Sequence, residues 1–107
     1  MQRVAQVIRV KPEAVPEYER IHAAVWPEVL ATISACNIHN YSIFRHGNTL
    51  FAYFEYHGSD LAADMRKMAA DPKTQEWWRI TAPMQEQVPG ATSEEWWTRI
   101  PEVFHTD

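Results

Sequence analysis

Pro27 constrains this chain more than any other residue. It lies inside residues 15 to 36, a stretch that otherwise reads as one helix. A proline ring removes a backbone donor and clashes with the preceding turn, so a helix does not pass through it undisturbed. The sequence therefore predicts a kink, or a fresh helix start, just after Trp26. Before that point Tyr18, His22 and Trp26 step by four and share one helical face. That face is aromatic, with one titratable imidazole at its centre. A pure core stripe would more often use Leu, Ile and Val. Glu17, Glu19 and Arg20 fall mainly on other faces and read as solvated. Val29, Leu30 and Ile33 continue an apolar stripe to about Cys36, and Asn37 reads as a helix stop.

Strand-like segments flank this helical stretch. Residues 3 to 10 carry β-prone bulk at Val4, Val7, Ile8 and Val10, and Lys11-Pro12-Glu13 breaks the run. Residues 38 to 46 read as a second strand. Strict alternation would send His39, Tyr41 and Ile43 one way and Ile38, Asn40, Ser42 and Phe44 the other. Gly47-Asn48 is a short turn into a third strand, residues 49 to 56. Gly58-Ser59-Asp60 offers a turn and an N-cap for a helix over residues 60 to 70, with Leu61, Met65 and Met68 facing inward. Pro72 suits the first position of a further helix, expected to run to about Gln87. Residues 88 to 98 read as an ordered loop and residues 100 to 105 as a last short strand.

The resulting order is strand, helix, strand, strand, helices, strand. It predicts an α+β domain of the ferredoxin-like split βαβ type, an antiparallel sheet with helices on one face. Nothing in residues 1–107 divides the chain, so a single domain is expected. The uncovered sheet face needs a partner, and a second copy packed sheet to sheet is the simplest one.

Composition narrows the function. A formal net charge of −4 without a basic stripe argues against nucleic acid. No apolar run approaches the ~20 residues of a membrane span. The first residues lack the pattern of a secretory leader, and one cysteine forms no intrachain disulfide, so a cytoplasmic protein is expected. No HxH, HxxxH or clustered Cys/His spacing suggests a metal site. GxSxG, P-loop and GxGxxG motifs are absent, and three glycines provide no phosphate cradle.

The candidate site residues each have a plain structural reading. A lone helical histidine is more often structural than catalytic, but His22 sits among aromatics and titrates near neutrality. Tyr18 and Tyr41 each offer a phenol to a hydroxylated ligand, or simply a ring with its tip in water. Trp77 and Trp78 point about 100° apart on a helix. One then packs inward while the other is available to stack on the C–H face of a sugar, although two core anchors are commoner.

Five segments occur in order across nearly the whole chain. They are Glu17-Tyr18-Glu19-Arg20-Ile21-His22, Val25-Trp26-Pro27-Glu28, His39-Asn40-Tyr41-Ser42-Ile43-Phe44, Glu76-Trp77-Trp78 and Glu102-Val103-Phe104-His105. Together they resemble the L-rhamnose mutarotase family, which has relatives associated with L-fucose. The resemblance implies a dimeric α/β-barrel made of two ferredoxin-like subunits. It also implies interconversion of the α and β anomers of a small 6-deoxy-L-sugar without a cofactor. By the same resemblance His22 matches the proton donor, and Tyr18, Tyr41, Trp77 and Trp78 match sugar-binding positions. Trp26 and Asn40 lie in the motifs without an assigned role. The Glu94-Glu95-Trp96-Trp97 element departs from the rhamnose pattern and reads as a lid over the sugar. Two rival readings suit the same residues. One is a cofactor-independent monooxygenase or haem-degrading enzyme on the same dimeric barrel. The other is a non-enzymatic small-ligand binding module. The ordered five-segment match favours the mutarotase.

Overall fold

A computed structural model describes residues 1–107. Five strands and four α-helices follow the predicted order. They are β1 (Gln2–Val10), α1 (Val15–His22), α2 (Pro27–Ala35), β2 (Ile38–His46), β3 (Thr49–Tyr56), α3 (Leu61–Ala70), α4 (Pro72–Thr81), β4 (Gln85–Glu86) and β5 (Thr98–Ile100). All strand pairs are antiparallel, in the order β2-β3-β1-β4, with β5 sharing the outer edge of β1. This is the strand order of a split βαβ domain.

Alternation decides which sheet face is covered. Leu50, Ala52, Phe54 and Tyr56 of β3 are buried, as are Val4, Ile8 and Val10 of β1. Their register partners share this face, which the helices cover. One core cluster gathers Val4, Cys36, Ile38, Phe54, Tyr56 and Met68, with Leu61 and Met65 against it. A second gathers Ile8, Val10, Tyr18 and Leu50, with Ile43, Met84 and Trp97 against it. On the other face Phe44 lies opposite Phe51, and both are exposed.

Pro27 starts a new helix. Trp26 is extended (φ −59°, ψ 135°), as a residue before proline prefers, and its carbonyl accepts from Val29 and Leu30. Asp60 and Asp71 cap α3 and α4 through their carboxylates, which accept from the N–H groups of Ala63 and Thr74.

Three sequence expectations need correction. The helix expected to reach Gln87 ends at Thr81, followed by a 3-10 turn over Ala82–Met84. Pro83 has no N–H to continue the ladder, and the released chain pairs Gln85 with Val10. The last strand is Thr98–Ile100 instead of 100 to 105, because Pro101 has no donor for a ladder bond. The strict alternation of β2 is also broken. His39 pairs with Glu55 and Ser42 with Tyr53, so Asn40 and Tyr41 together oppose one residue in a β-bulge. Asn40 adopts φ 49°, which asparagine tolerates, and its amide donates to Glu55 Oε1 at 2.6 Å. The bulge leaves both Ile38 and Ile43 on the helix-covered face.

Candidate active site

The site begins with two residues one turn apart on α1. Tyr18 is buried, and the His22 ring stacks on its ring at 3.9 Å between centroids and 23° between planes. His22 Nδ1 lies 2.7 Å from the Tyr18 backbone oxygen. A carbonyl only accepts, so Nδ1 carries the hydrogen and Nε2 is left as the free nitrogen. Trp77 meets the imidazole in a T-shaped arrangement at 5.3 Å between centroids, and Trp26 in turn meets Trp77 at 5.2 Å. The proline break thus takes Trp26 off α1 and returns it to the same aromatic row through α4.

The bulge in β2 brings in Tyr41. Its ring lies 5.6 Å from that of Phe54, on the helix-covered side. The residue as a whole is 38% exposed, but its hydroxyl end is desolvated and lies within electrostatic reach of Tyr18. Burial raises the Tyr41 pKa, and Tyr18 adds to the effect. Burial also pushes the Tyr18 hydroxyl up to about 12, against a hydrogen bond from Gln85 that lowers it. For His22 burial lowers the pKa, opposed by its bond to the Tyr18 carbonyl. Near neutral pH the site therefore holds two neutral phenols and an imidazole biased to its neutral form. Such a set moves protons between oxygens without carrying a fixed charge.

Sequence reasoning missed Gln85. It is buried, and its Nε2 donates to the Tyr18 hydroxyl at 3.3 Å. Its Oε1 accepts from the Trp96 indole N–H at 2.7 Å. An expected helix end concealed it, and the only available signal was Pro83 two residues earlier. Trp97 packs on the core cluster that includes Tyr18. Gln87 ties the loop internally by donating to the Thr92 and Glu95 carbonyls at 3.2 and 2.6 Å. Trp97 thus anchors this element to the core, while Glu94, Glu95 and Trp96 beside it stay exposed.

The structure gathers Tyr18, His22, Tyr41 and Trp77. Trp78, expected beside them, is 42% exposed and has no ring partner in the aromatic row. A cleft of about 410 Å³ shares Trp26 and Trp77 with the row and is otherwise lined by Glu17, Arg20, Ile21, Ala24 and Ile80. Another of about 470 Å³ lies on the opposite sheet face, beside Arg3, Tyr53 and Glu102, away from His22. His39 and His57 meet edge to face at 5.0 Å, and no group of three potential ligands stands together for a metal. No helix is long and apolar enough to cross a membrane.

Comparison with known proteins bears on this arrangement. An L-rhamnose mutarotase from Phocaeicola vulgatus is 36% identical over 109 residues, covering all of both chains. An L-fucose mutarotase from Xanthomonas campestris is 32% identical, covering 97% of this chain and 87% of its own. The crystal structure of an L-rhamnose mutarotase from Formosa agariphila superposes with a TM-score of 0.78 at 22% identity, over the whole of both chains, and supports the fold. A family model described as L-rhamnose mutarotase matches residues 3–106, and the chain belongs to that family.

Proposed function

We propose that this protein is an aldose mutarotase that interconverts the α and β anomers of a 6-deoxy-L-sugar, L-rhamnose first and L-fucose second. The names of its relatives support the substrate class. The observation that carries the chemistry is His22, with Nδ1 tied to a carbonyl, Nε2 free, and its ring set against those of Tyr18 and Trp77. Mutarotation adds a proton to the ring oxygen and removes one from the C1 hydroxyl. The ring opens to the aldehyde, the carbonyl turns over, and the ring closes from its other face. No covalent intermediate is needed. In its protonated form His22 donates from Nε2 to the ring oxygen on opening while a water takes the proton of the C1 hydroxyl, and closure returns both protons. Tyr18 orients the sugar, Tyr41 offers a second hydroxyl, and Trp77 meets the apolar sugar face from inside. Trp78, about 100° away on α4, meets the sugar from the exposed side.

Saturation transfer between the α and β anomeric protons tests this reading, with L-rhamnose and L-fucose in turn. Accelerated transfer with one sugar is expected. A His22→Asn variant should lose about 10²–10⁴-fold in catalysed exchange while remaining folded. Unchanged exchange in that variant would remove His22 from the chemistry.

The working unit is a homodimer, in the cytoplasm, joined through the open sheet face. Phe44 is 64% exposed there and Phe51 40%, an apolar pair that a second sheet would cover. Sedimentation should give twice the chain mass, and Phe51→Arg should reduce it to one chain.

A further inference from the structure

The hydrogen bonds around Gln85 run in one direction only. An indole N–H donates and never accepts. Trp96 therefore requires an acceptor, and the atom it meets at 2.7 Å is Gln85 Oε1. This fixes the orientation of the amide, because turning it over would set two donors against each other. The Nε2 atom must then face Tyr18, where it donates to the phenol oxygen at 3.3 Å. Gln85 itself is 6% exposed, so water does not compete freely for its bond to Tyr18. With its oxygen already accepting, Tyr18 keeps its own hydrogen for a ligand.

We propose that Gln85 and Trp96 are positioning residues that hold the Tyr18 hydroxyl in its sugar-binding orientation, through the relay Trp96 N–H to Gln85 to Tyr18. The loop from residues 87 to 97 thereby acts on the sugar through another side chain. Its placement is itself secured. Gln87 ties it to its own carbonyls, and Trp97 packs against the cluster of Ile8, Val10, Tyr18 and Leu50. The proposal rests on the reading that Tyr18 contacts the sugar. It adds two residues that no motif match selected.

A double-mutant cycle with two readouts tests it. Trp96→Phe keeps the ring and removes the donor, while Gln85→Met keeps the length and removes both bonds. Anomer exchange titrated with the sugar that wild type turns over should show KM raised about three- to tenfold in each variant, with kcat within about twofold. The double variant should be no worse than Gln85→Met alone, because Trp96 acts only through Gln85. Additive losses, a loss confined to kcat, or no change in Trp96→Phe would overturn the relay. If Gln85→Met does not fold, the KM-against-kcat split in Trp96→Phe alone decides. The second readout needs no sugar. The indole N–H proton resonance of Trp96, assigned by its loss in Trp96→Phe, should move upfield in Gln85→Met. For Gln85→Met that fails to fold, the same resonance is followed in Gln85→Leu. An unmoved resonance would mean that the bond is not made. A wild-type protein without activity on either sugar would sink the functional reading, and the resonance would still judge the hydrogen bond.

Discussion

The chain has two Trp-Trp pairs, and they are held in different ways. Trp77-Trp78 sits on α4, where backbone geometry separates adjacent side chains by about 100°. Trp77 is 6% exposed and meets both His22 and Trp26, whereas Trp78 faces outward. Trp96-Trp97 lies just before β5 in a loop, with no helix to separate the two rings. There the division comes from partners. Trp97 has the apolar cluster around Tyr18, and Trp96 has the buried Gln85 amide. A helix thus assigns inside and outside by itself, but a loop does so only when the rest of the molecule supplies a place for each ring.

This contrast is open to direct attack. Trp77→Ala should have the largest effect, about 3–5 kcal/mol of stability, because a large buried ring leaves a cavity that the core refills only in part. Denaturant unfolding measures it. Trp97→Ala should cost less, about 2 kcal/mol, since the ring is only partly buried. Equal losses at the two positions would show that the loop pair is as deeply anchored as the helical one.

A smaller effect sharpens the role of Trp77 towards its neighbour. Burial lowers the His22 pKa, so the unfolded chain binds more protons than the folded one below about pH 6.5, the ordinary value. Stability should therefore fall as pH drops from the ordinary histidine value through the lowered one. Removing the Trp77 ring admits water to the imidazole and should return its pKa towards the ordinary value. Trp78→Ala should leave that pKa in place, as an NMR titration of the His22 ring would record. At the alkaline end, Tyr18 keeps its proton to about pH 12 in the folded state, so stability should also fall as pH rises above 10. The smallest effect on stability belongs to Trp78→Ala, within about 0.5 kcal/mol, because the ring is exposed and stands outside the aromatic row. Its sugar KM should still rise several-fold. A stability loss like that of Trp77 would refute the division of labour in the helical pair.

Much of the architecture was legible from local rules. Pro27, Asp60 with its following apolar run, Asp71-Pro72 and the alternation of β3 each act over a few residues, and the elements they predict formed where expected. His22 and Tyr18 were legible as neighbours for the same reason, since four residues make one helical turn. Tyr41 required more. Its delivery to the helix-covered side depends on the bulge at Asn40, a feature tied to Glu55 in the next strand and invisible in the alternation of β2 itself. Gln85 was illegible for a related reason. A helix pattern continued past it, and only the competition between Pro83 and a free edge on β1 turned it into a strand.

The sequence by itself therefore determined the order of elements, the break before α2 and the pairing of Tyr18 with His22, because short-range sterics and helix geometry decide all three. Tertiary structure alone decided the meeting of Trp26 with Trp77, the approach of Tyr41 to Tyr18 and the chain of hydrogen bonds from Trp96 through Gln85 to Tyr18. These join residues from different elements, up to 67 positions apart between Tyr18 and Gln85, and no local preference places one against the other. What places them is burial. A polar group taken out of water must find a partner, and in this molecule the partners are reached only when the sheet edge, the helix layer and the loop have closed together.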